Sequence, residues 1–539
     1  MKRKKNKSNG RTNNASGSEK REIFTAAGKT VERWEPWLPW VIALLYTLVM
    51  GYLTFRYHRI GGMGVETDFY VELVPQAKKL IGGMFSPLNY GAKGPVYSIL
   101  LAGVYLIVRD YFYAGLVLNL LSSAVFLSTA YFLIREVFNS VTALVVTIAI
   151  SCNYVFQSYT YQAGSDMPFM AVCALSMYFL FRSGRTRDLV LSAVFGTAAF
   201  LSRYNGAFIV MGTVLFFALQ TVSVRERLKR AALWIGVFLL VGLPWFIPNW
   251  KATGNPVHND NYMNVMLEFY GLGKEGVTYE NWTDALPKEF TGMGDIILYD
   301  PLYFAGHVGH NVVTHFVSDI QLFTGMRLGI FVILGMVLFW FARPGRKRLL
   351  FYSFGLLYFL ILTLVFYNVR FSLFLLVFYL PTAVWPLTHE AILDRLKRYS
   401  WLPGVILLLV VLSYFYTTAT AITRELKQSP VYLEDLRDLG RAVDRSEPDK
   451  TKTIIGRKPH VAYFAGLEAR MFPGDVKSIP ELVDYCRDNG IDYILYSGIE
   501  ASSRPYVRDL LNVGTAHRGL EKVYHNRFGA VYRVTDVKR

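Results

Sequence analysis

Long apolar segments recur along most of the chain and restrict it to one class of fold. A helix needs about 20 apolar residues to cross the roughly 30 Å hydrocarbon core of a bilayer, and hydrophobic residues make up 53% of this sequence. Apolar runs lie near 37–56, 112–134, 139–158, 167–182, 188–201, 206–222, 231–247, 326–342, 349–367, 371–388 and 401–422. The pattern predicts an all-α polytopic membrane protein.

One shorter apolar run, at 95–108, determines the predicted topology. As a helix its 14 residues would extend about 21 Å, too little to cross upright. If it did cross, the basic loops at 182–187, 225–230 and 343–348 would face outward, against the positive-inside rule. We therefore predict a half-inserted juxtamembrane helix here and about eleven crossings. The N-terminus is then cytoplasmic and the C-terminus external.

The same topology accounts for the basic character of the chain. The formal net charge is +17, and much of the excess lies in residues 1–36 and in short loops between apolar runs. Residues 1–36 have neither the apolar core nor the cleavage site of a signal peptide. We interpret them as a disordered cytoplasmic arm, and we do not expect binding to nucleic acid.

Besides short turns near 159–166, 202–205 and 367–372, three long segments are predicted to lie on the external side of the membrane. Two of them, 57–111 and 248–325, are loops of the membrane domain at 37–422, and the third is the C-terminal region at 425–539. The C-terminal region is charged and alternates helix-like stretches, such as 480–490, with short β-rich ones at 453–456, 492–498 and 530–534. This pattern predicts a small soluble α/β domain on the external side.

Acidic side chains near the predicted external face are candidates for chemistry. Glu66 and Asp68 follow the first apolar run, and Asp166 stands where a later run begins. A carboxylate in such a place can act as a general base. It can equally be an ordinary loop residue or a helix N-cap, and taken singly these acids favour that structural interpretation.

Cations on the same predicted side point to an anionic ligand. Arg203 and Arg370 lie where topology gives no reason for positive charge, and guanidinium groups bind phosphate through paired hydrogen bonds. Lys93 precedes the short run and would lie at the level of the lipid headgroups. The alternative for all three is snorkelling to the interface. Acids that accept a proton beside cations that hold a phosphate suggest a transfer reaction in which a phosphate leaves.

The order of these segments resembles that of a known family. The stretches are, in sequence, ETDFY, YGAKGPVYSILLAGVYLIV, AGSDMPFM, AFLSRYNGAFIV, GLPWFIPNWKATGNPV and VRFSLFLLVFYLP. Their order and spacing resemble the GT-C glycosyltransferases that use polyprenyl-phosphate sugars, such as protein O-mannosyltransferases and lipid A aminoarabinose transferases. The resemblance covers most of 37–390, and 425–539 is similar to the external domain that many members carry.

The resemblance implies an inverting transfer of a sugar to an acceptor at the external face. Asp68 corresponds to the family's base or acceptor-orienting group. Asp166 corresponds to a second acid that orients the acceptor or helps to hold a divalent cation. Lys93, Arg203 and Arg370 correspond to the cations near the donor phosphate. The partners implied are a polyprenyl-phosphate sugar, membrane lipids and a lipid, polysaccharide or protein acceptor, in a multi-pass protein of the inner or plasma membrane.

The chain departs from the family pattern in two places. Many relatives have Asp-Glu where this chain has Asp68 and Phe69, and Lys-Pro-Pro where it has Lys93 followed by Gly94 and Pro95. Glu66 could replace the missing glutamate as the second catalytic carboxylate. His258, just after the similar stretch GNPV, could contact the acceptor.

A transporter that flips lipid-linked sugars is the main alternative, because it too would need cations for phosphate. The working acids of transporters usually lie near the middle of the membrane. Glu66, Asp68 and Asp166 lie instead at predicted ends and loops, and an external α/β domain has little use in a minimal flippase. The sequence therefore favours a transferase.

Overall fold

The computed structural model describes residues 36–182, 184–271, 290–341, 344–388, 399, 401–427, 432–473 and 476–537. The predicted basic arm lies outside the described residues, apart from position 36. Helices dominate the first four-fifths of the chain, and a small sheet lies near its C-terminus. This architecture confirms the predicted class of a mainly helical membrane protein with a small C-terminal α/β unit.

The helices of the membrane region follow the apolar runs closely. They are α1 (Leu38–Tyr57), α2 (Val65–Asp68), α3 (Val74–Ile81), α4 (Val96–Val108), α5 (Tyr111–Val137), α6 (Ser140–Ser151), α7 (Tyr154–Tyr161), α8 (Asp166–Arg182), α9 (Thr186–Ser202), α10 (Ala207–Ala218), α11 (Val224–Thr253), α12 (Asn261–Met266), α13 (Met293–Tyr299), α14 (Pro301–Ser318), α15 (Gly325–Phe341), α16 (Arg346–Leu362), α17 (Leu376–Thr388) and α18 (Leu402–Lys427). Three polar residues, Asp110, Asn139 and Asn153, cap the helices α5, α6 and α7 with their side chains.

Within the described part of the chain, four helical segments are long and apolar enough to cross a membrane. They include α1, α5 and α11, and the fourth begins at Gly404. A fifth is reached if α6 and α7, which meet at 59°, form one bent span. The count of about eleven crossings therefore stays a prediction. The short run at 95–108 forms the 13-residue helix α4.

Helix α5 lies at the centre of the bundle, packed against α8, α1 and α6. An apolar 18-residue stretch of α5 is 72% buried inside the protein, whereas the corresponding stretch of α1 is only 28% buried. A helix that is apolar all round is stable only in lipid or in a protein core. Helix α5 therefore lies in the protein core, and the exposed side of α1 is suited to lipid.

The C-terminal region forms three layers around a five-stranded sheet. The elements are α19 (Tyr432–Ser446), β1 (Thr453–Gly456), α20 (His460–Ala465), β2 (Glu468–Met471), α21 (Ile479–Asp488), β3 (Tyr493–Ser497), α22 (Gly498–Ser503), β4 (Leu520–His525) and β5 (Gly529–Val534). The strand order is β2-β1-β3-β5-β4, with β1 parallel to β2 and β3 and the other pairs antiparallel. One apolar cluster joins the sheet to α19 and α20, and another joins it to α21.

Candidate functional site

The segment after α1 places Asp68 at the end of α2, where the helix continues as a π-helical turn, Phe69–Leu73, into α3. Phe69 is fully buried, and its ring lies so close to Gly115 that a Cβ on that glycine would come within 2.8 Å of it. The burial of Phe69 turns the neighbouring Asp68 away from the core. A glutamate at position 69 would place a charge in this packed position.

Two cations contact Asp68. Lys93 Nζ lies 3.4 Å and Arg370 Nη2 lies 3.1 Å from the Asp68 Oδ2 atom. Burial by itself would raise the pKa of Asp68, but Lys93 and Arg370 outweigh it and hold that pKa below its ordinary value. Asp68 is therefore ionised at neutral pH, and its side chain remains 40% exposed.

Asp166 and Arg203 form a second, deeper ion pair. Asp166 begins α8, and its Oδ1 atom accepts a hydrogen bond from Nη1 of Arg203, which directly follows α9. Nε of Arg370 lies 3.9 Å from the same oxygen. The structure thus brings together five of the seven residues that sequence analysis connected with the reaction, and Arg370 lies between Asp68 and Asp166.

A buried donor and a buried acceptor are left over in this cluster. Within the described part of the chain, neither Arg370 Nε nor Asp166 Oδ2 has a hydrogen-bond partner. Buried polar atoms in native proteins are nearly always satisfied, so an orphaned pair calls for a ligand or an ordered water. Arg203 and Phe371 line the same small cavity. The cavity has a volume of about 10 Å³, which is room for about one water molecule.

Glu72 belongs to the site, although sequence analysis missed it. Its Oε2 atom lies 2.6 Å from Lys93 Nζ, which is closer than the 3.4 Å between Asp68 Oδ2 and the same nitrogen. Glu72 follows Asp68 by four positions, a spacing that places two side chains on one face of a helix. That spacing was the available signal. Lys93 thus bridges two carboxylates of one helical segment.

Gly94 explains the second departure from the family pattern. A Cβ on Gly94 would lie 2.1 Å from the backbone oxygen of Leu201, two residues before Arg203. Proline carries a Cβ and could not occupy this position without a backbone shift. The close approach at Gly94 holds the segment carrying Lys93 against the segment carrying Arg203.

Glu66 lies apart from the cations. It is 1% exposed, and its carboxylate accepts hydrogen bonds from the backbone nitrogens of Gly62 at 2.5 Å and Ala163 at 2.8 Å. Nε2 of His58 lies 2.9 Å from it. The expectation that Glu66 supplies the second reactive carboxylate therefore does not match its placement. It joins the segment between α1 and α3 to the turn that precedes Asp166.

His258 lies beside the site without joining the charged cluster. Its Nε2 atom is 3.5 Å from Asp260, and its side chain is 43% exposed. The backbone nitrogen of Asp260 donates to Gly91, and the Asn261 side chain donates to the carbonyl of Ala92. The segment that carries His258 thus supports the loop before Lys93, and the imidazole is open to a ligand.

The residues around Asp166 do not fit a divalent cation. The described residues contain no group of three or more His, Cys, Asp or Glu side chains placed to hold a metal. Asp166 is instead surrounded by the guanidinium groups of Arg203 and Arg370. Hard divalent cations need several oxygen ligands, and fixed positive charges repel them. We derive no chemistry through a metal.

A family model and several solved structures resemble this chain. The model described as dolichyl-phosphate-mannose-protein mannosyltransferase matches residues 92–251, a segment that contains Lys93, Asp166 and Arg203. No curated protein sequence matches the chain significantly.

Three solved structures share the fold. ArnT from Cupriavidus metallidurans bound to undecaprenyl phosphate is 13% identical with a TM-score of 0.56, over 93% of this chain and 98% of that one. The Archaeoglobus fulgidus oligosaccharyltransferase tethered to an acceptor peptide is 12% identical with a TM-score of 0.57, over 87% and 70%. The Archaeoglobus oligosaccharyltransferase in complex with an inhibitory peptide and a dolichol-phosphate is 11% identical with a TM-score of 0.55, over 87% of this chain and 70% of that one. These similarities confirm the resemblance to GT-C membrane glycosyltransferases.

Proposed function

We propose that the protein is an inverting glycosyltransferase that moves a sugar from a polyprenyl-phosphate donor to an acceptor at the extracytoplasmic face of the membrane. The observation that carries this proposal is the position of Asp68, a half-exposed carboxylate between Lys93 and Arg370. A base and phosphate-binding cations in direct contact are the groups that such a transfer requires.

The reaction can be written with these groups alone. The acceptor hydroxyl attacks the anomeric carbon of the donor while its proton passes to the Asp68 carboxylate. The bond from that carbon to the phosphate oxygen breaks, and the oxygen keeps the electron pair. Lys93 and Arg370 stabilise the negative charge that develops on the phosphate. One displacement inverts the anomeric configuration.

Asp166 and Arg203 have a supporting role in this proposal. Asp166 lies between Arg203 and Arg370 and orients both guanidinium groups toward the phosphate. Oriented cations in a site with little water stabilise charge more strongly than mobile ones.

The relatives support the class of donor. The Cupriavidus ArnT and Archaeoglobus oligosaccharyltransferase structures contain undecaprenyl phosphate and dolichol-phosphate. The phosphate of such a lipid suits the three cations Lys93, Arg203 and Arg370, and its apolar chain suits the neighbouring apolar helices. A flippase remains the alternative, but the working acids here are paired with the phosphate-binding cations, which suits bond cleavage.

We further propose a multi-pass protein of the inner or plasma membrane with a cytoplasmic N-terminus. The membrane domain spans 37–422, and the loops 57–111 and 248–325 and the domain 425–539 are extracytoplasmic. A cysteine-accessibility scan of intact cells tests this arrangement. Leu88 is 72% exposed in the loop 57–111, so labelling of Leu88→Cys only from the cytoplasm would refute it.

The decisive experiment measures sugar transfer by the purified protein. Radiolabelled undecaprenyl-phosphate and dolichyl-phosphate sugars are incubated with candidate lipid, polysaccharide and peptide acceptors. We expect Asp68→Asn and Arg370→Ala to abolish transfer, while Lys79→Met, which removes an exposed lysine bonded to Asn89 on the same loop, leaves it intact.

Two further measurements separate the alternatives. Binding of undecaprenyl phosphate should survive Asp68→Asn and fall in Arg370→Ala. The NMR spectrum of the product should show the inverted anomer. Normal transfer by both site variants would refute the proposal, and movement of an intact lipid-linked sugar across sealed vesicles without cleavage would favour the flippase.

A further inference from the structure

The C-terminal domain touches the loop that carries Asp68. Nζ of Lys458, which follows β1, donates to the backbone oxygen of Met63 at 3.1 Å and lies 3.4 Å from the Thr67 hydroxyl. Nε2 of His460, at the start of α20, donates to the backbone oxygen of Gly61 at 2.9 Å. Two side chains of the domain therefore bond to the residues that lead up to Asp68.

Apolar packing supports these hydrogen bonds. Ile60 is buried in the cluster formed by α19, α20 and the sheet, so the first external loop completes the core of the domain. The rings of Tyr70 and Tyr463 lie 4.3 Å apart, and the Tyr70 hydroxyl accepts a hydrogen bond from the Gly61 backbone. Contacts of this kind fix the loop relative to the domain.

Lys458 differs from the other cations of the site in its partners. Lys93, Arg203 and Arg370 each contact a carboxylate. Lys458 bonds only to uncharged oxygens in the described part of the chain. Burying part of a lysine without a carboxylate partner lowers the stability of the fold. A functional role near Asp68 would account for keeping the lysine at this position.

The charge of Lys458 is coupled to Asp68 as well. Burial, together with the adjacent Arg457, lowers the pKa of Lys458, and Asp68 opposes that change. The Lys458 ammonium is therefore near enough to Asp68 to feel its charge, although its hydrogen bonds go to Met63 and Thr67.

We infer that Lys458 is a positioning residue of the reaction site, through which the C-terminal domain holds Thr67 and thereby sets the direction of the Asp68 carboxylate. This inference rests on the proposed function. The opposite side of the loop is held by Glu66, which bonds to Gly62 and Ala163. The loop is thus clamped between the membrane domain and the C-terminal domain.

The test compares kcat and KM for the lipid-phosphate sugar in the full-length protein. We expect Lys458→Met to lower kcat by about tenfold, because small misplacements of a reacting group cost one to two orders of magnitude. The KM for the donor should stay within about twofold, because Lys93 and Arg370 still bind the phosphate. Lys458→Arg should restore most of the kcat, since it can still donate to the same oxygens.

Two controls keep the inference falsifiable. Thr67→Val removes the hydroxyl that Lys458 contacts, so its effect should not add to that of Lys458→Met in the double variant. Lys522→Met removes a lysine of the same domain that bonds to the Val513 carbonyl and should have normal kinetics. A thermal midpoint equal to that of the wild type excludes misfolding. Should Lys458→Met itself fail to fold, Thr67→Val and Lys458→Arg carry the test.

The outcomes separate this inference from the proposed function. A normal kcat in Lys458→Met, with an inactive Asp68→Asn, would overturn the role of Lys458 alone. Fully additive losses in the double variant would also overturn it, since the two side chains would then act independently. An active Asp68→Asn would overturn the proposed function and with it this inference.

Discussion

Asp68 and Asp166 are both paired with arginine, yet they differ sharply in exposure. The Asp68 side chain is 40% exposed and shares two cations, whereas the Asp166 side chain is 6% exposed and lies between Arg203 and Arg370. Lys93 and Arg370, the partners of Asp68, are largely buried and have further acidic partners in Glu72 and Asp166. Loss of the Asp166 carboxylate, in contrast, would leave the buried Arg203 charge uncompensated. In the proposed function, Asp68 meets the substrate and Asp166 holds the arginines in place.

The largest expected effect comes from Asp68→Asn. Removal of a general base typically costs 10²- to 10⁴-fold in rate, and we expect a loss of kcat in that range. Because the carboxylate is exposed, the thermal midpoint should change little. A transfer assay combined with a melting curve in detergent checks both parts, and a large loss of stability would make Asp68 a structural residue.

Asp166→Asn should show the reverse pattern. Without its carboxylate the buried Arg203 loses its charge partner, which costs roughly 3–5 kcal/mol in typical buried pairs. We expect a clear drop in the thermal midpoint, with a loss of activity that follows the loss of folded protein. If Asp166→Asn were as stable as the wild type but inactive, Asp166 would itself be a reacting group.

Gly94→Ala tests whether the close packing at Gly94 holds the two ion pairs together. The new Cβ would clash with the Leu201 backbone, and overpacking of this kind costs about 1–3 kcal/mol. The segments carrying Lys93 and Arg203 would move apart, so donor binding should weaken. Gly103→Ala, in helix α4 with open space around the new methyl group, is the matched control. It should leave donor binding unchanged and stabilise the helix by roughly 0.5–1 kcal/mol.

The smallest expected effect is a shift in pH dependence. Lys93 and Arg370 hold the pKa of Asp68 below its ordinary value, so the carboxylate is lost only as pH falls through that lowered pKa. Its contribution to stability is present above the ordinary pKa and disappears in the same acidic range. Lys93→Met should therefore move the acid limb of the kcat/KM profile to higher pH.

The pH profile of Lys79→Met provides the reference for that measurement. Lys79 lies on α3, the helix that follows the segment carrying Asp68. It bonds to Asn89 and contacts no acid in the described structure. Its acid limb should coincide with that of the wild type. An unchanged limb in Lys93→Met would mean that Arg370 alone sets the ionisation of Asp68.

The general architecture could be predicted because it depends on local pattern. Apolar runs became helices, and the β-rich stretches at 453–456 and 492–498 became β1 and β3. The strand Glu468–Met471 was not foreseen, because it is largely exposed and lacks apolar alternation. The number of crossings depends on where a bilayer lies, which length and hydropathy alone do not determine.

The site could be predicted only in part, because burial is decided by distant residues. Asp68, Lys93 and Arg370 were connected through their predicted sidedness and the family resemblance, and they are in contact. Glu66 looked equally suitable beside Asp68, but Ala163, 97 positions later, buries its carboxylate. Lys458 lies 391 positions from Thr67, a pairing that no local pattern reveals.

Ile60 lies inside the apolar core of the C-terminal domain, and this has a consequence for recombining such proteins. A chimera that joins this membrane domain to the external domain of a relative would place a foreign side chain opposite Ile60 and Tyr70. Matched exchange of residues 60–70 together with 425–539 should preserve expression, whereas exchange of either segment alone should not. A functional chimera therefore has to exchange the loop at 60–70 and the C-terminal domain together.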